Sequence, residues 1–170
     1  FKLTLQFRLA AYNMINKQVS NLTEALAGIK DGATVMAGGF DDAGSPNDLL
    51  HGLLENQLKG LTLIGNGVVA EDFGQGRLIT AGGVDKYVAS FPRGPGTTIF
   101  DAGTPTAHIE LEVVPQGTLA ERIRAGGASI PGFYTGTALG TTLAKGKETR
   151  EIDGVEYVFE RALKADVALI

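Results

Sequence analysis

The stretch VMAGGFDDAGSP, residues 35–46, holds the first residues from which a chemistry can be argued. An apolar run enters Gly38 and Gly39, and Ser45-Pro46 opens what reads as a helix. Backbone N–H groups in a glycine loop and at a helix N-terminus attract anions, so the outline is that of a phosphate cradle. Asp41 and Asp42 stand in its middle and would repel a phosphate. On pattern alone two readings stay open: a tight strand-to-helix turn whose carboxylates favour the helix dipole, or a ligand loop.

Other residues offer less. LTLIGNGVVA, residues 61–70, fits the dinucleotide fingerprint of Gly65, Gly67 and Ala70 after a strand. Its companion acid should close the next strand, but Asp85 precedes that strand, and AEDFGQG makes a poor helix start, so nicotinamide binding is disfavoured. Glu110 and Glu112 alternate with Ile109 and Leu111 and so share one face of a strand, whereas Glu55 and His51 fall on the polar side of a helix. Nothing in the pattern selects one catalytic acid among 19 Asp and Glu residues. His108 opens a strand with no serine or cysteine nucleophile in context. Arg93, just past a strand end, has the planar fork to clamp a carboxylate in two bonds, though a surface arginine reads as well.

Composition narrows the field further. There is no cysteine, which excludes thiol chemistry and disulfides and fits a cytoplasmic setting. Two histidines rule out a multi-histidine metal site, and a net charge of −4 without a basic run gives no reason to expect nucleic acid. Residues 1–13 contain Lys2 and Arg8 within an apolar run, so they lack the core of a signal peptide or membrane span. They are expected to be an extension, with the domain running from Met14 to Ile170 as one unit.

Alternating helix and strand signals must position these residues. Asn21 and Glu24 open a helix through about Ile29, and a strand covers 33–37. A second helix has Ser45 as N-cap, Pro46 at its first position, Leu50, Leu54 and Leu58 on one face, and Gly60 past its end. Strands follow at 61–64, 86–91 and 108–114, then a helix capped by Thr118 and Glu121 through Arg124. Asp153-Gly154 marks a two-residue hairpin, and 166–170 reads as a strand broken off by truncation. The order implies an α/β fold, a mainly parallel sheet flanked by helices with an antiparallel hairpin added near the C-terminus. Ligands in such sheets bind beyond the strands' carboxyl ends, where the glycines at 38–39, 65–67 and 125–127 are expected.

Several motifs in order carry a family resemblance that spans residues 14–170. They are DGATVMAGGFDDAGSP (31–46), VPQGTLAERIR (114–124), IPGFYT (130–135), GKETRE (146–151) and ADVALI (165–170). Together they resemble the A-type (alpha) half of the family I CoA-transferases. The resemblance implies the NagB/RpiA-like architecture of that family and a ping-pong transfer of CoA from succinyl-CoA to a 3-oxo acid. SFPR (90–93), Phe100-Asp101 and IELEVV (109–114) are most similar to members acting on 3-oxoadipate. It further implies no permanently bound cofactor, with CoA a substrate, and a B-type partner subunit that supplies a glutamate nucleophile in a Ser-Glu-Asn-Gly context. This chain has no such stretch, so no catalytic nucleophile is assigned to it. The resemblance places CoA on Gly38, Gly39, Phe40, Asp41, Asp42, Ala43 and Gly44, and puts Asn66 and Gln116 beside the reacting carboxyl, where amide donors would stabilise negative charge. Gly67 stands where the family commonly has a second asparagine. With Asp41 and Asp42 in the loop, CoA's pantetheine arm is expected there and its phosphates elsewhere.

Overall fold

The computed structural model describes residues 16–40 and 43–170. The expectations for residues 1–13, for Met14, and for Asp41 and Asp42 lie outside the described residues. The helices are α1 (Leu22–Leu26), α2 (Asn47–Glu55), α3 (Gly74–Thr80) and α4 (Gln116–Gly127). The strands are β1 (Thr34–Ala37), β2 (Leu61–Gly67), β3 (Val84–Phe91), β4 (Glu110–Val113), β5 (Gly132–Thr135), β6 (Thr149–Ile152), β7 (Val155–Arg161) and β8 (Val167–Leu169).

Five strands form a sheet in the order β4-β3-β2-β1-β8, every pair parallel. Because side chains alternate along a strand, each strand feeds two cores. Val35 and Ala37, Leu61 and Leu63, and Tyr87 and Ala89 pack on one side with Leu26, Leu50, Leu53, Leu78 and Ile79 from α1, α2 and α3. Met36, Ile64 and Val88 point to the other side, against Leu119 and Ile123 of α4. Each fully buried Leu or Ile contributes about 1.5–3 kcal/mol, so both faces of the sheet are held by helices on apolar grounds alone.

The α/β architecture agrees with the sequence reading, with local corrections. The hairpin is not attached to the parallel sheet: β5, β7 and β6 form a separate antiparallel sheet, turned at Asp153 (φ 52°) and Gly154 (φ 77°). Two positive φ values are what a tight hairpin turn demands, and Asp-Gly supplies them. α1 ends at Leu26, short of Ile29, although its cap forms as expected with Asn21 Oδ1 accepting from the Glu24 N–H at 2.9 Å. α2 begins at Asn47 with Pro46 at its cap, and Ser45 Oγ turns instead to Asn47 Oδ1 at 3.0 Å. It also stops at Glu55, because Gln57 takes φ 54°, so Leu58 packs from outside the helix. α4 starts at Gln116 rather than at a Thr118 cap; Pro115 enters it and Thr118 is buried within it. Gly126 and Gly127 belong to the last turn of α4, not to a strand end. There a Cβ on Gly126 would stand 1.9 Å from the Leu163 carbonyl oxygen, so glycine lets the helix lie against that segment.

Candidate active site

All five strands of the parallel sheet run one way, so their carboxyl ends share one edge. β1 leaves that edge through Gly38, whose N–H donates to the Leu169 carbonyl at 2.8 Å and ties the loop to β8. Gly39 has φ 105°, and a Cβ there would lie 3.0 Å from the Ser45 nitrogen; both facts demand glycine. Phe40 and Ala43 exchange two backbone hydrogen bonds at 3.0 and 3.1 Å, and Gly44 at φ 72° returns the chain toward α2. Phe40 is 61 % exposed.

Beside this loop three polar side chains meet. Asn66 is the last residue but one of β2, Ser90 the last but one of β3, and Gln116 is the first residue of α4. The register pairs Gly65 with Ala89 and Gly67 with Phe91, which sets Asn66 and Ser90 side by side. Asn66 Nδ2 donates to Ser90 Oγ at 3.0 Å and to Gln116 Oε1 at 2.5 Å. Ser90 Oγ lies 3.0 Å from the Asn66 carbonyl and also contacts Gln116 Oε1. The cluster divides two clefts: one of ≈ 270 Å³ over Gly38, Gly39 and Leu119, the other of ≈ 350 Å³ walled by Phe40 and Phe91. Neither cleft is lined by a charged side chain among the described residues. The N-terminus of α4 turns its unpaired N–H groups and the positive end of its dipole to the same place. Neutral donors around open space suit a carbonyl or carboxylate oxygen that gains negative charge.

Thus Asn66 and Gln116, expected near the reacting group, are brought together, and both line the cleft that Gly38 and Gly39 enter. Arg93 follows β3 at the same edge, with Nη1 donating to Asp101 at 2.7 Å and Nη2 to the Phe100 carbonyl at 2.9 Å. It braces a loop anchored by buried Ile99, and Phe100 stacks on Tyr87 with ring centres 5.8 Å apart. That loop is also held from Glu71, whose carboxylate accepts from the Thr98 N–H (2.6 Å) and hydroxyl (2.9 Å) and lies below its usual pKa for that reason.

The dinucleotide fingerprint fails on geometry. β2 runs through Gly67, and α3 starts only at Gly74, so no helix N-terminus follows the glycines. Gly65 makes room for the buried Gln75, which accepts from the Tyr87 hydroxyl at 3.0 Å, and a Cβ on Gly67 would strike the Phe91 carbonyl at 2.2 Å. Asp85 lies inside β3 near its start, at the opposite edge of the sheet.

The remaining candidates are structural. Lys86 bridges Glu110 at 2.8 Å and Glu112 at 3.2 Å, which share a face of β4 as expected. Glu112 also meets Arg122 at 2.7 Å; burial pushes its carboxyl up, but hydrogen bonds and charge from Arg122 and Lys86 outweigh this and hold it below the usual range. Arg122, buried on α4, donates through Nε to the Arg161 carbonyl at 2.6 Å and faces buried Glu160, itself paired with Lys147 at 2.5 Å. His51 pairs with Glu55 at 3.3 Å on an exposed helix face, and His108 is exposed beside the Pro105 carbonyl. Among the described residues no cluster of His, Asp or Glu is placed to hold a metal, and no helix is long and apolar enough to cross a membrane.

Sequence reasoning gave no role to Ser90, although SFPR carries it. The signal that would have found it is register: a polar residue between the Gly65–Ala89 and Gly67–Phe91 pairs, on the strand beside Asn66. It also missed α3, whose entry at Phe73 has no side-chain cap.

Comparison with known proteins agrees with the fold. The sequence profile of the family "Coenzyme A transferase" matches residues 19–170. The chain is 50 % identical over 157 residues to the A-subunit of 3-oxoadipate CoA-transferase from Pseudomonas putida, covering 92 % of this chain and 68 % of that one. The A-subunit of the succinyl-CoA:3-ketoacid coenzyme A transferase of Helicobacter pylori strain J99 is 41 % identical, with 92 % and 66 % covered. The chain therefore spans about two thirds of the length of these relatives. Among solved structures, glutaconate coenzyme A-transferase from Acidaminococcus fermentans superposes with a TM-score of 0.72 at 18 % identity, over 88 % of this chain and 54 % of that one. A variant of the decarboxylase AibA/AibB gives the same TM-score at 23 % identity, with 88 % and 60 % covered, so the fold alone does not choose the reaction.

Proposed function

This chain belongs to the coenzyme A transferase family, and we propose that it is the A half of an enzyme moving CoA from succinyl-CoA to a 3-oxo acid, with 3-oxoadipate the preferred acceptor. The observation that carries this reading is 50 % identity to the A-subunit of a 3-oxoadipate CoA-transferase across 92 % of the chain. The site supports it in kind: it offers donors, a glycine loop and a helix N-terminus, and its clefts hold no carboxylate nucleophile among the described residues. A glutamate from a B-type partner attacks the acyl-CoA thioester carbonyl, forming an acyl–glutamyl anhydride and releasing the CoA thiolate. That thiolate attacks the glutamyl carbonyl, which frees the first acid and leaves an enzyme thioester; the acceptor acid then runs the two steps in reverse. Gln116 and Asn66 stand beside the reacting carbonyl, and the pantetheine arm lies along Gly38–Gly44 with the CoA phosphates away from Asp41 and Asp42. CoA is consumed and regenerated, with no resident cofactor, and the assembly works in the cytoplasm.

The acceptor is the finer question, because relatives at 41 % identity are named for 3-keto acids in general. A dicarboxylic acceptor needs a cation for its second carboxylate, and Arg93 is proposed for that role by exchanging its Asp101 partner for substrate. Co-expression with a B-type partner and assay with succinyl-CoA tests both levels. Transfer to 3-oxoadipate faster than to acetoacetate, and present only with both chains, is the expected result. Transfer by this chain alone would overturn the division of roles; a stable complex without turnover would mark a non-catalytic CoA-binding subunit. Arg93→Ala should cost 3-oxoadipate more than acetoacetate, and equal losses would leave Arg93 a brace for its loop.

A further inference from the structure

The Asn66–Ser90–Gln116 cluster has too few protons for both amides to serve the cleft as donors. Asn66 Nδ2 carries two hydrogens and has two acceptors in reach, Ser90 Oγ at 3.0 Å and Gln116 Oε1 at 2.5 Å. Both hydrogens are spent inside the cluster. The single hydroxyl proton of Ser90 is directed to the Asn66 carbonyl, at 3.0 Å, or to Gln116 Oε1. Gln116 Oε1 is thus the shared acceptor. Flipping the Gln116 amide alone would set its NH₂ against the NH₂ of Asn66, donor against donor; in the orientation the structure shows, Gln116 Oε1 faces inward. Gln116 Nε2 has no acceptor among the described residues, and Gln116 lines both clefts.

We propose that Ser90 is a positioning residue: with Asn66 it holds Gln116 Oε1, so that the two Gln116 N–H bonds face the cleft as the side-chain donors to an acyl oxygen gaining negative charge. Asn66 in this arrangement orients Gln116 and does not itself donate to the ligand. Ser90 touches both amides, so removing it frees one Asn66 hydrogen and one lone pair of Gln116 Oε1 together. All three are anchored at rigid points, two strand ends and the first turn of a helix of 12 residues. The identity of the arriving ligand rests on the CoA-transferase reading; the orientation of the amide does not.

The test uses the complex with the B-type partner. Ser90→Ala should lower kcat about 10- to 100-fold, since a misplaced donor forfeits much of what a deleted one does, while KM for each substrate changes less than about threefold. Adding Ser90→Ala to Gln116→Ala should cost little more, because both act through one group. Multiplying losses, or a Ser90→Ala enzyme with unchanged kcat, would overturn the proposal. Asn66→Asp, which keeps shape but replaces the NH₂ by an acceptor, should turn the Gln116 amide inward and lower kcat similarly; unchanged kcat there would also overturn it. A readout independent of turnover is the side-chain NMR of the purified protein labelled with ¹⁵N-glutamine. Gln116 should give one well-resolved NH₂ pair that collapses toward the free-amide position in Ser90→Ala; identical spectra would sink the idea. A wild-type complex that moves no CoA would remove the transferase reading, and the NMR would then decide the amide's orientation alone.

Discussion

Gln116 and Arg122 sit about two turns apart on α4, and their surroundings differ in kind. Gln116 meets neutral partners at an open edge and keeps two N–H bonds uncommitted among the described residues. Arg122 has 8 % of its side chain exposed and is spent on Glu112, the Arg161 carbonyl and Glu160, which Lys147 completes. The helix therefore does two jobs. Where hydrogen-bonding capacity is left over beside open space, a ligand can use it; where it is exhausted inside the protein, it fastens α4 to β4 and to the antiparallel sheet. The more charged of the two regions is the one with no hydrogen-bonding capacity left for a ligand.

The largest effect should come from the fastened end. Arg122→Ala leaves buried Glu160 and the Arg161 carbonyl short of a partner, and should cost about 3–5 kcal/mol in urea denaturation. A variant that folds with wild-type stability would show that the network is ornamental and the contrast false. Gln116→Ala should do the reverse: kcat in the assembled enzyme falls about 10²–10³-fold, while the denaturation midpoint hardly moves. A large stability loss there would mean that the amide holds the structure together. The smallest effect concerns pH. Glu112 has its folded pKa depressed by Arg122 and Lys86, so its ionised form adds stability above the usual carboxylate range, and that contribution disappears as pH falls through the depressed value. Glu112→Gln should flatten the acid limb of the stability curve in that window and leave neutral-pH turnover intact. An acid limb of unchanged slope would remove Glu112 from the network's account.

Much of the fold was legible because burial leaves a period in the sequence. Val35 and Ala37 alternate with Met36, and the same alternation in β2 and β3 places strands whichever way the chain packs. Asp153-Gly154 fixed its turn because few pairs tolerate two positive φ values. Helix starts were less legible. Ser45 and Thr118 look like caps, but prolines at 46 and 115 enter both helices without a side-chain bond. α3 was invisible for another reason: GQGRLIT has weak propensity, and it forms because Leu78 and Ile79 are buried and Gly76 passes the Ala70 carbonyl, where a Cβ would lie 2.0 Å away.

The glycine loop shows the same division. The sequence by itself put glycines at 38, 39 and 44 between a strand and a helix and left turn and ligand loop both open; the structure gives Gly39 and Gly44 backbone angles that other residues avoid. The sequence also determined the two-sided strands and, through its motifs, the family. Only the tertiary structure decided that Asn66, Ser90 and Gln116, far apart along the chain, share one set of hydrogen bonds, that Gly67 is imposed by the Phe91 carbonyl, and that Arg93 is already paired. Local pattern records what each residue needs for burial and backbone shape, whereas proton counts and shared acceptors exist only once parallel strands in register bring distant side chains within hydrogen-bonding reach.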